Sequence, residues 1–502
     1  MIRALLGGAL PLTLTLGACD LGPDYQRPQI ELPVQFRATE ATALAAWPTE
    51  NWWRGFNSAE LNSLIEQARA QNFDIAAAIA RVHQADAQVR IAGAAMLPNA
   101  NVTGNASWQQ TGATRGFAGV TRGGSTTSTI DIHNYGFTPL SVAYEVDFWG
   151  KNRAAQQAAM ASAVFSRFDQ QVVALTVVTN VANSWFSALA LADRLGVAQR
   201  NLTDAEQTLA VIRGRLDAGT ASALDVSQQE ALVAAERANI PNLRNQLEQE
   251  LIGLGILVGR PPEAITVRPG SLDTLSLPSV SPGLPSSLLQ RRPDVAEAEA
   301  QLVAANFDIK VARAAFFPSV QLTGSYGFAN AALTTLFTPG GTIISLAAGL
   351  TQPLFDGGSL RGQLEQSKGR YEELLADYRK AVVQAFTDVE DALTAWRFTT
   401  EQEVLQRLAV AAARSAANIA RAQMLAGTVD VTTVLQAETT LFTDEDNLAQ
   451  VRLARFQALL SLYKALGGGW IVPSGPIEQQ FPGLRPGLVP GGLALPVGGN
   501  IR

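Results

Sequence analysis

NFDIAAAIARVHQADAQVRIAGAAMLPNANVTGNAS, residues 72–107, and RPDVAEAEAQLVAANFDIKVARAAFFPSVQLTGSYG, residues 292–327, are two versions of one segment. At a shift of 220 residues Asp74 meets Asp294, Pro98 meets Pro318, Thr103 meets Thr323 and Gly104 meets Gly324. Downstream the shift becomes 208: RLDAGTASALDV carries Gly219, AQMLAGTVDVTT carries Gly427, and Gly259 falls opposite Gly467. Two consistent shifts establish an internal repeat. The residues lost between them are assigned to the Gly-, Thr- and Ser-rich stretch from Gln109 to Tyr135, read as the longer of two equivalent loops.

Each repeat opens with a helix, Asp74 to Met96 and Asp294 to Phe316, that ends ahead of a proline, which disfavours helix in the residue before it. A strand follows in which Val320, Leu322, Tyr326 and Phe328 alternate with Gln321, Thr323 and Ser325. In the next strand Leu140, Val142, Tyr144, Val146 and Phe148 alternate with Ser141, Ala143, Glu145 and Asp147. Its counterpart sets Leu346, Ala348, Leu350 and Leu354 against Ala347, Gly349 and Thr351. Strands of this length with one apolar and one polar face suit a transmembrane barrel with a wet interior.

From Asn152 to Asp217 and from Leu360 to Met424 there is no proline and little glycine. About 65 helical residues make a rod of roughly 100 Å. After an Ala-Gly-Thr turn a helix of about 37 residues returns, so a long helix can lie beside two shorter ones, packed as in a coiled coil. Four strands per chain leave open edges, which lipid does not tolerate. Closure needs about eight strands or more, so several chains must contribute: dimers give 8 strands, trimers 12, tetramers 16.

The formal charge of −6 offers no basic patch and hence no reason to expect nucleic acid. Nucleophile elbows, P-loops, zincin and dinucleotide fingerprints are all missing, so no enzyme, cofactor or metal site is expected. His83 and His133 stand apart and read as surface side chains. Met1 to Ala18 reads as a secretory signal with Arg3 at its start and an apolar core from Leu5 to Leu16. It ends in Leu16-Gly17-Ala18-Cys19, small residues ahead of the chain's lone cysteine, the pattern of a bacterial lipobox. Cys19 is therefore the expected lipidation site, a stable anchor because several acyl chains are buried. Asp20 is unexpected there, since aspartate after a lipidated cysteine favours inner-membrane retention in the enteric sorting rule.

LGPDYQRP after Cys19, YEVDFWGKNR from Tyr144, RRPDVAEAEA from Arg291, QPLFDGG from Gln352 and YKALGGGW from Tyr463 together resemble the signatures of TolC-like outer-membrane factors. More narrowly they resemble NodT-type lipoproteins of tripartite efflux pumps, from Cys19 to about Trp470. The resemblance implies an α+β membrane protein acting as a homotrimer. Its three chains would close a 12-stranded outer-membrane β-barrel continued by a 12-helix periplasmic α-barrel. It implies a passive duct for drugs or other small molecules that opens on docking with a periplasmic adaptor and an inner-membrane resistance-nodulation-division transporter. The corresponding organisation is a signal peptide (1–18), a lipidated and equatorial segment (19–71), two efflux repeats (72–270 and 285–470) and a Pro/Gly-rich tail (471–502).

By the same resemblance the turns at Arg215, Leu216, Gly219 and Thr220 and at Met424, Gly427 and Thr428 face the adaptor. The glycines there also have a local task, ending a helix in the left-handed conformation. Related channels carry acidic residues just past the turn, around the narrowest aperture, where rings of carboxylates attract cations. Asp225 matches that place; the second repeat has Thr433 and Gln436 instead, and its nearest acid is Asp430. Asp225 and Asp430 are the aperture candidates, against a solvated face or pairing with Arg213, Arg215 or Arg421. Arg292-Pro293-Asp294 reads as a helix start, and Trp52, Trp53 and Trp149 as packing or interfacial aromatics. Competing readings are the outlet of a type I protein secretion system and a lipidated periplasmic coiled-coil adaptor.

Overall fold

The computed structural model describes residues 21–30, 36–37, 47–114, 127–265, 270–278 and 285–471. Helices α1 (Ala59–Gln71) and α2 (Phe73–Ala94) lead into strands β1 (Asn99–Thr114) and β2 (Thr127–Val146), then helices α3 (Lys151–Asp217) and α4 (Ala223–Val258). After the short α5 (Pro285–Leu288) the order recurs as α6 (Pro293–Ala314), β3 (Ser319–Asn330), β4 (Thr342–Thr351), α7 (Ser359–Leu425) and α8 (Val431–Ala465). The long helices α3 and α7 have 67 residues each. Equal lengths at one shift of 208 mean that every residue of α3 has a defined counterpart in α7.

The described residues form two compact units, one built from 21–26, 85–114, 127–162 and 302–374 and the other from the rest of them. The first holds a four-stranded antiparallel sheet in the order β1-β2-β3-β4. Its register carries the apolar alternation across three strands. Leu140 pairs with Tyr326 and Tyr326 with Ile344; Tyr144 pairs with Leu322 and Leu322 with Ala348; Val146 pairs with Val320 and Val320 with Leu350. Leu346 and Leu350 are 86% and 71% exposed, so the edge strand presents bulky apolar side chains with no cover from its own chain. At that extent an apolar surface is an interaction surface.

The stretch from Gln109 to Tyr135 differs from its expectation as a loop. Gln109 to Thr114 and Thr127 to Tyr135 belong to β1 and β2, paired from Gln109 with Ile132 to Thr114 with Thr127. Residues 115–126 lie outside the described residues. Much of the extra length of the first repeat therefore lengthens strands: β1 and β2 have 16 and 20 residues against 12 and 10 in β3 and β4. Ile130, Ile132 and the flanking threonines are β-branched and favour pleated backbone, which the high Ser and Gly content masks.

The second unit is cored by Trp52, Trp53, Phe56, Leu61, Ile65, Val181, Trp185, Phe186, Leu254, Phe456 and Tyr463. Trp52 stacks on Tyr463 with ring centroids 4.7 Å apart, so Trp52 and Trp53 are packing residues. Trp149, in the other unit, donates its indole N–H to the Pro318 carbonyl at 2.7 Å. Of the described helices, α3 has one stretch long and apolar enough to cross a membrane. Val177, Val181, Trp185 and Phe186 place α3 in this core, which accounts for much of its apolar character.

The repeat also recurs at the joint between returning and opening helices. Asn72 Nδ2 donates to the Leu257 carbonyl at 2.8 Å, and Arg292 Nη1 donates to the equivalent Ala465 carbonyl at 3.2 Å. Gly259 and Gly467, at φ of 77° and 82°, turn the chain there. A Cβ on either would stand 2.3 or 1.7 Å from the carbonyl oxygen of Gln71 or Arg291, so only glycine fits. Arg292 is more than part of a helix start. Its buried guanidinium also binds Asp294 at 2.5 Å and Asp388 at 2.8 Å, clamping α6 to α7 and α8.

Candidate functional site: the two helix turns and the polar layer behind them

At the first turn, Thr220 N–H donates to Arg215 O at 2.8 Å and Gly219 N–H to Leu216 O at 2.9 Å. The second turn repeats this, with Thr428 to Gln423 O at 2.9 Å and Gly427 to Met424 O at 3.0 Å. These are the two bonds that close a helix through a left-handed residue. Gly219 (φ 73°) and Gly427 (φ 76°) supply it. The Thr220 and Thr428 hydroxyls each add a bond of 3.1 Å to the same carbonyls. Arg215 reaches across and donates to the Met424 carbonyl, linking one turn to the other.

Leu216, Gly219, Thr220, Gly427 and Thr428 are exposed, and Arg215 is half-buried. Met424, expected with them as a contact residue, is a correction. It is 2% exposed, packed with Ile212, Ala420, Val431 and Val434, so its side chain secures the turn from within. Leu224 and Leu425, which sequence reading passed over, are 65% and 68% exposed beside the turns. Their signal was a leucine on each side of a glycine turn.

Both aperture candidates cap helices. Ser222 is the N-cap of α4 and accepts from Asp225 N–H at 3.2 Å, while Asp225 Oδ2 accepts from Ser222 N–H at 2.7 Å, a reciprocal capping box. In the second repeat Asp430 is itself the N-cap of α8, accepting from Thr433 N–H at 2.9 Å and its hydroxyl at 2.6 Å. Those bonds from Thr433 hold the Asp430 carboxyl below the usual carboxylate range. The arginines considered as partners are engaged elsewhere. Arg213 pairs with Glu230 at 2.6 Å, Arg215 with Met424 O, and Arg421 with Glu438 and Asp204.

Behind the turns lies a buried polar layer joining four helices. Glu438 of α8 is fully buried and accepts from Arg421 Nε of α7 at 2.7 Å and from the Thr208 hydroxyl of α3 at 2.6 Å. Gln229 of α4 donates to it at 3.2 Å and to Ala205 O at 3.0 Å. Arg421 also reaches Asp204 at 3.3 Å. Burying a carboxylate is costly unless such partners surround it. An apolar cluster of Ala205, Leu209, Val233, Ala417, Leu441 and Phe442 encloses the layer. Sequence reading missed it, since a lone glutamate in an alanine-rich helix gives no sign of burial.

Glu297 of α6 is pushed up to about 7, first by burial and then by Asp169 and Asp294, with Arg81 opposing. Arg81 binds Asp169 at 3.0 Å. Among the described residues no three His, Cys, Asp or Glu side chains gather where they could hold a metal ion. Cys19 and Asp20 lie outside the described residues. The segment that follows is tied to α6: the carbonyls of Leu21 and Pro23 accept from Arg313 and Asn306, and Arg27 pairs with Glu299.

Two capped turns that join paired long helices, and a four-stranded sheet whose edge strand β4 leaves bulky apolar residues uncovered, are the setting for the comparison with known proteins. The family described as outer membrane efflux protein matches residues 64–260 and 284–468. The chain belongs to this family. It is 41% identical to the pyoverdine export outer membrane protein OpmQ of Pseudomonas aeruginosa over 458 residues, 91% of this chain and 95% of the relative. It is 31% identical to the cation efflux system protein CusC of Escherichia coli, over 91% of this chain and 97% of the relative. A crystal structure of CusC superposes with a TM-score of 0.78 at 30% identity, covering 90% of this chain and 100% of that one. The open state of the Neisseria gonorrhoeae MtrE outer membrane channel gives 0.78 at 27% identity, covering 90% and 98%. This outer membrane efflux protein accordingly has the TolC-like α+β fold and is an outer-membrane efflux channel of a Gram-negative bacterium, its long helices in the periplasm. Family members are transport channels.

Proposed function

We propose that three copies of this chain form one duct, passive and without chemistry of its own, that carries small molecules outward. The carrying observation is the four-stranded sheet, with β1 and β4 unpaired at its edges and bulky apolar residues uncovered on β4. Joining β4 of each copy to β1 of the next removes every edge. The names of the relatives span pyoverdine, a cation, antibiotics and toluene. Such a spread fits a duct whose cargo is chosen elsewhere, by an inner-membrane resistance-nodulation-division transporter coupled through a periplasmic adaptor. The exposed turns around Gly219 and Gly427 are the adaptor-facing ends.

The organisation read from sequence stands as part of this proposal: a signal peptide removed before Cys19, lipidation there, two efflux repeats (72–270, 285–470) and the tail beyond. Asp225 and Asp430, capping the returning helices, form the aperture acids. Their replacement by alanine should raise conductance in planar bilayers and weaken cation selectivity; unchanged conductance and selectivity would remove them from the aperture. For the whole reading the test is a strain deleted for this gene. Complementation should restore export only while adaptor and transporter are present, and export independent of both would refute it.

A further inference from the structure

Trp52, Trp53 and Trp470 line a cavity of about 270 Å³ in the second unit. Each indole is held by another ring. Trp52 stacks on Tyr463 at 4.7 Å, Trp53 stands edge-on to Trp52 at 5.8 Å, and Trp470 stands edge-on to Phe168 at 5.6 Å. The Gly467-Gly468-Gly469 run of the YKALGGGW motif forms a further wall. All three glycines have positive φ. A Cβ on Gly468 would stand 2.2 Å from the Leu175 side chain, and one on Gly469 would stand 2.3 Å from the Thr49 backbone. The run is wedged against its neighbours, so the walls are rigid before anything enters. The space has room for about nine waters at ~30 Å³ each, or for one aromatic ring carrying a small polar group.

The polar groups of this cavity are donors in excess. Trp53 is 3% exposed, and its buried indole N–H has no hydrogen-bond partner among the described residues. A buried donor without an acceptor is costly, and a ligand that brings the acceptor accounts for it. Arg69 lies beside it, with its guanidinium carbon 5.6 Å from the Trp53 ring centroid. The carboxylate that faces Arg69 is Glu50, 3.8 Å away and 79% exposed, beyond hydrogen-bond distance. An orphaned N–H and a loosely paired guanidinium reject a cation, and indole walls select a flat apolar body. The geometry points to a binding site for a small aromatic carboxylate, one oxygen on the Trp53 N–H and its charge against Arg69. Every residue of the site belongs to one chain, so it does not depend on how many copies assemble.

Para-fluorobenzoate is the probe, titrated into the full-length protein in detergent and followed by fluorine NMR, with detergent alone as the blank. Saturable line broadening at one site per chain is expected. Trp53→Phe keeps a ring in the core and removes the N–H, and should weaken binding about tenfold, the order of a hydrogen bond to a charged group. Arg69→Gln should weaken benzoate by a similar factor of about ten and leave para-fluorobenzamide, the uncharged analogue, nearly unchanged. Glu50→Gln removes the competing carboxylate and should tighten benzoate about twofold. A void that merely packs badly would show none of this pattern. Absence of saturable broadening beyond the blank would leave the cavity to water and overturn the inference. Equal affinity in the natural chain and in Arg69→Gln, a change at the rim that spares the core, would overturn it too, as would full affinity in Trp53→Phe.

Discussion

The two helix turns use the same parts in exchanged places. In repeat one the N-cap is a hydroxyl, Ser222, and the acid sits three residues on as Asp225; in repeat two the N-cap is the acid, Asp430, and the hydroxyl follows as Thr433. A similar exchange occurs farther along the helices. Arg237 pairs with Glu206 at 2.6 Å, and at the equivalent positions Glu445 pairs with Arg414. An N-cap needs an oxygen facing the free amides of the first turn, and an ion pair needs opposite signs. Neither need specifies which position holds which group. Repeats thus drift by exchanging partners while the scaffold stays fixed. Arg213–Glu230 and Arg421–Glu438 differ in another way, keeping identity while their burial diverges. The difference teaches that equivalent positions share geometry but not environment.

The sharpest attempt to break this comparison replaces the two equivalent glutamates. Glu438→Leu leaves the half-buried Arg421 with Asp204 alone and takes the acceptor from the buried Thr208 and Gln229, and should cost about 3 kcal/mol. Glu230→Leu should cost about 0.5 kcal/mol or less, as an exposed pair does. Urea unfolding of the detergent-solubilised protein measures both, and equal costs would erase the distinction. The next effect concerns Glu297, whose counterpart at a shift of 220 is Ala77. Its folded-state pKa of about 7 lies above the ordinary 4.5. Its contribution to stability is therefore full below about 4.5 and is lost as pH rises through about 7. Thermal melting between those values should flatten in Glu297→Gln and stay unchanged in Ala77→Gln.

Substituting the turn glycines sharpens the comparison from the side of likeness. Gly219→Ala and Gly427→Ala meet no neighbour, so only the left-handed backbone resists, at about 1 kcal/mol each. Matching losses in unfolding midpoint are expected at both turns. The caps then separate by pH. Ser222→Ala should cost about 1 kcal/mol. Asp430 has a depressed pKa, so its capping persists down to the ordinary carboxylate range and fails as pH drops through its own value. Amide protection of residues 431–434, taken relative to the intrinsic exchange rate at each pH, should fall in acid, and Asp430→Asn should remove that dependence. The smallest effect is in the exchanged pair: reversing both Arg237 and Glu206 should change stability by no more than about 0.5 kcal/mol, because both members are exposed.

Helices and the repeat were legible because their signals are local or periodic. The expected span from Asn152 to Asp217 meets an observed Lys151–Asp217, and Leu360 to Met424 meets Ser359–Leu425. Strand extent was hidden in the first repeat, where serine, threonine and glycine serve strands and loops alike. Pro241 sits inside α4 without ending it, against its local preference. The polar layer was illegible for another reason: Thr208 and Glu438 are 230 residues apart, and burial depends on the four helices together. One clue was available. Arg237 with Glu206 and Glu445 with Arg414 are an opposite-sign exchange at one shift, the mark of a contact between helices.

By the proposed reading, this chain becomes a channel only by closing its four strands against other copies. Native mass of the full-length protein extracted from outer membranes, recorded with single-channel conductance of the same sample, tests it most directly. A trimer that conducts and that heat converts to monomers is expected. A conducting monomer, or a stable monomer as the sole species in the outer membrane, would contradict it.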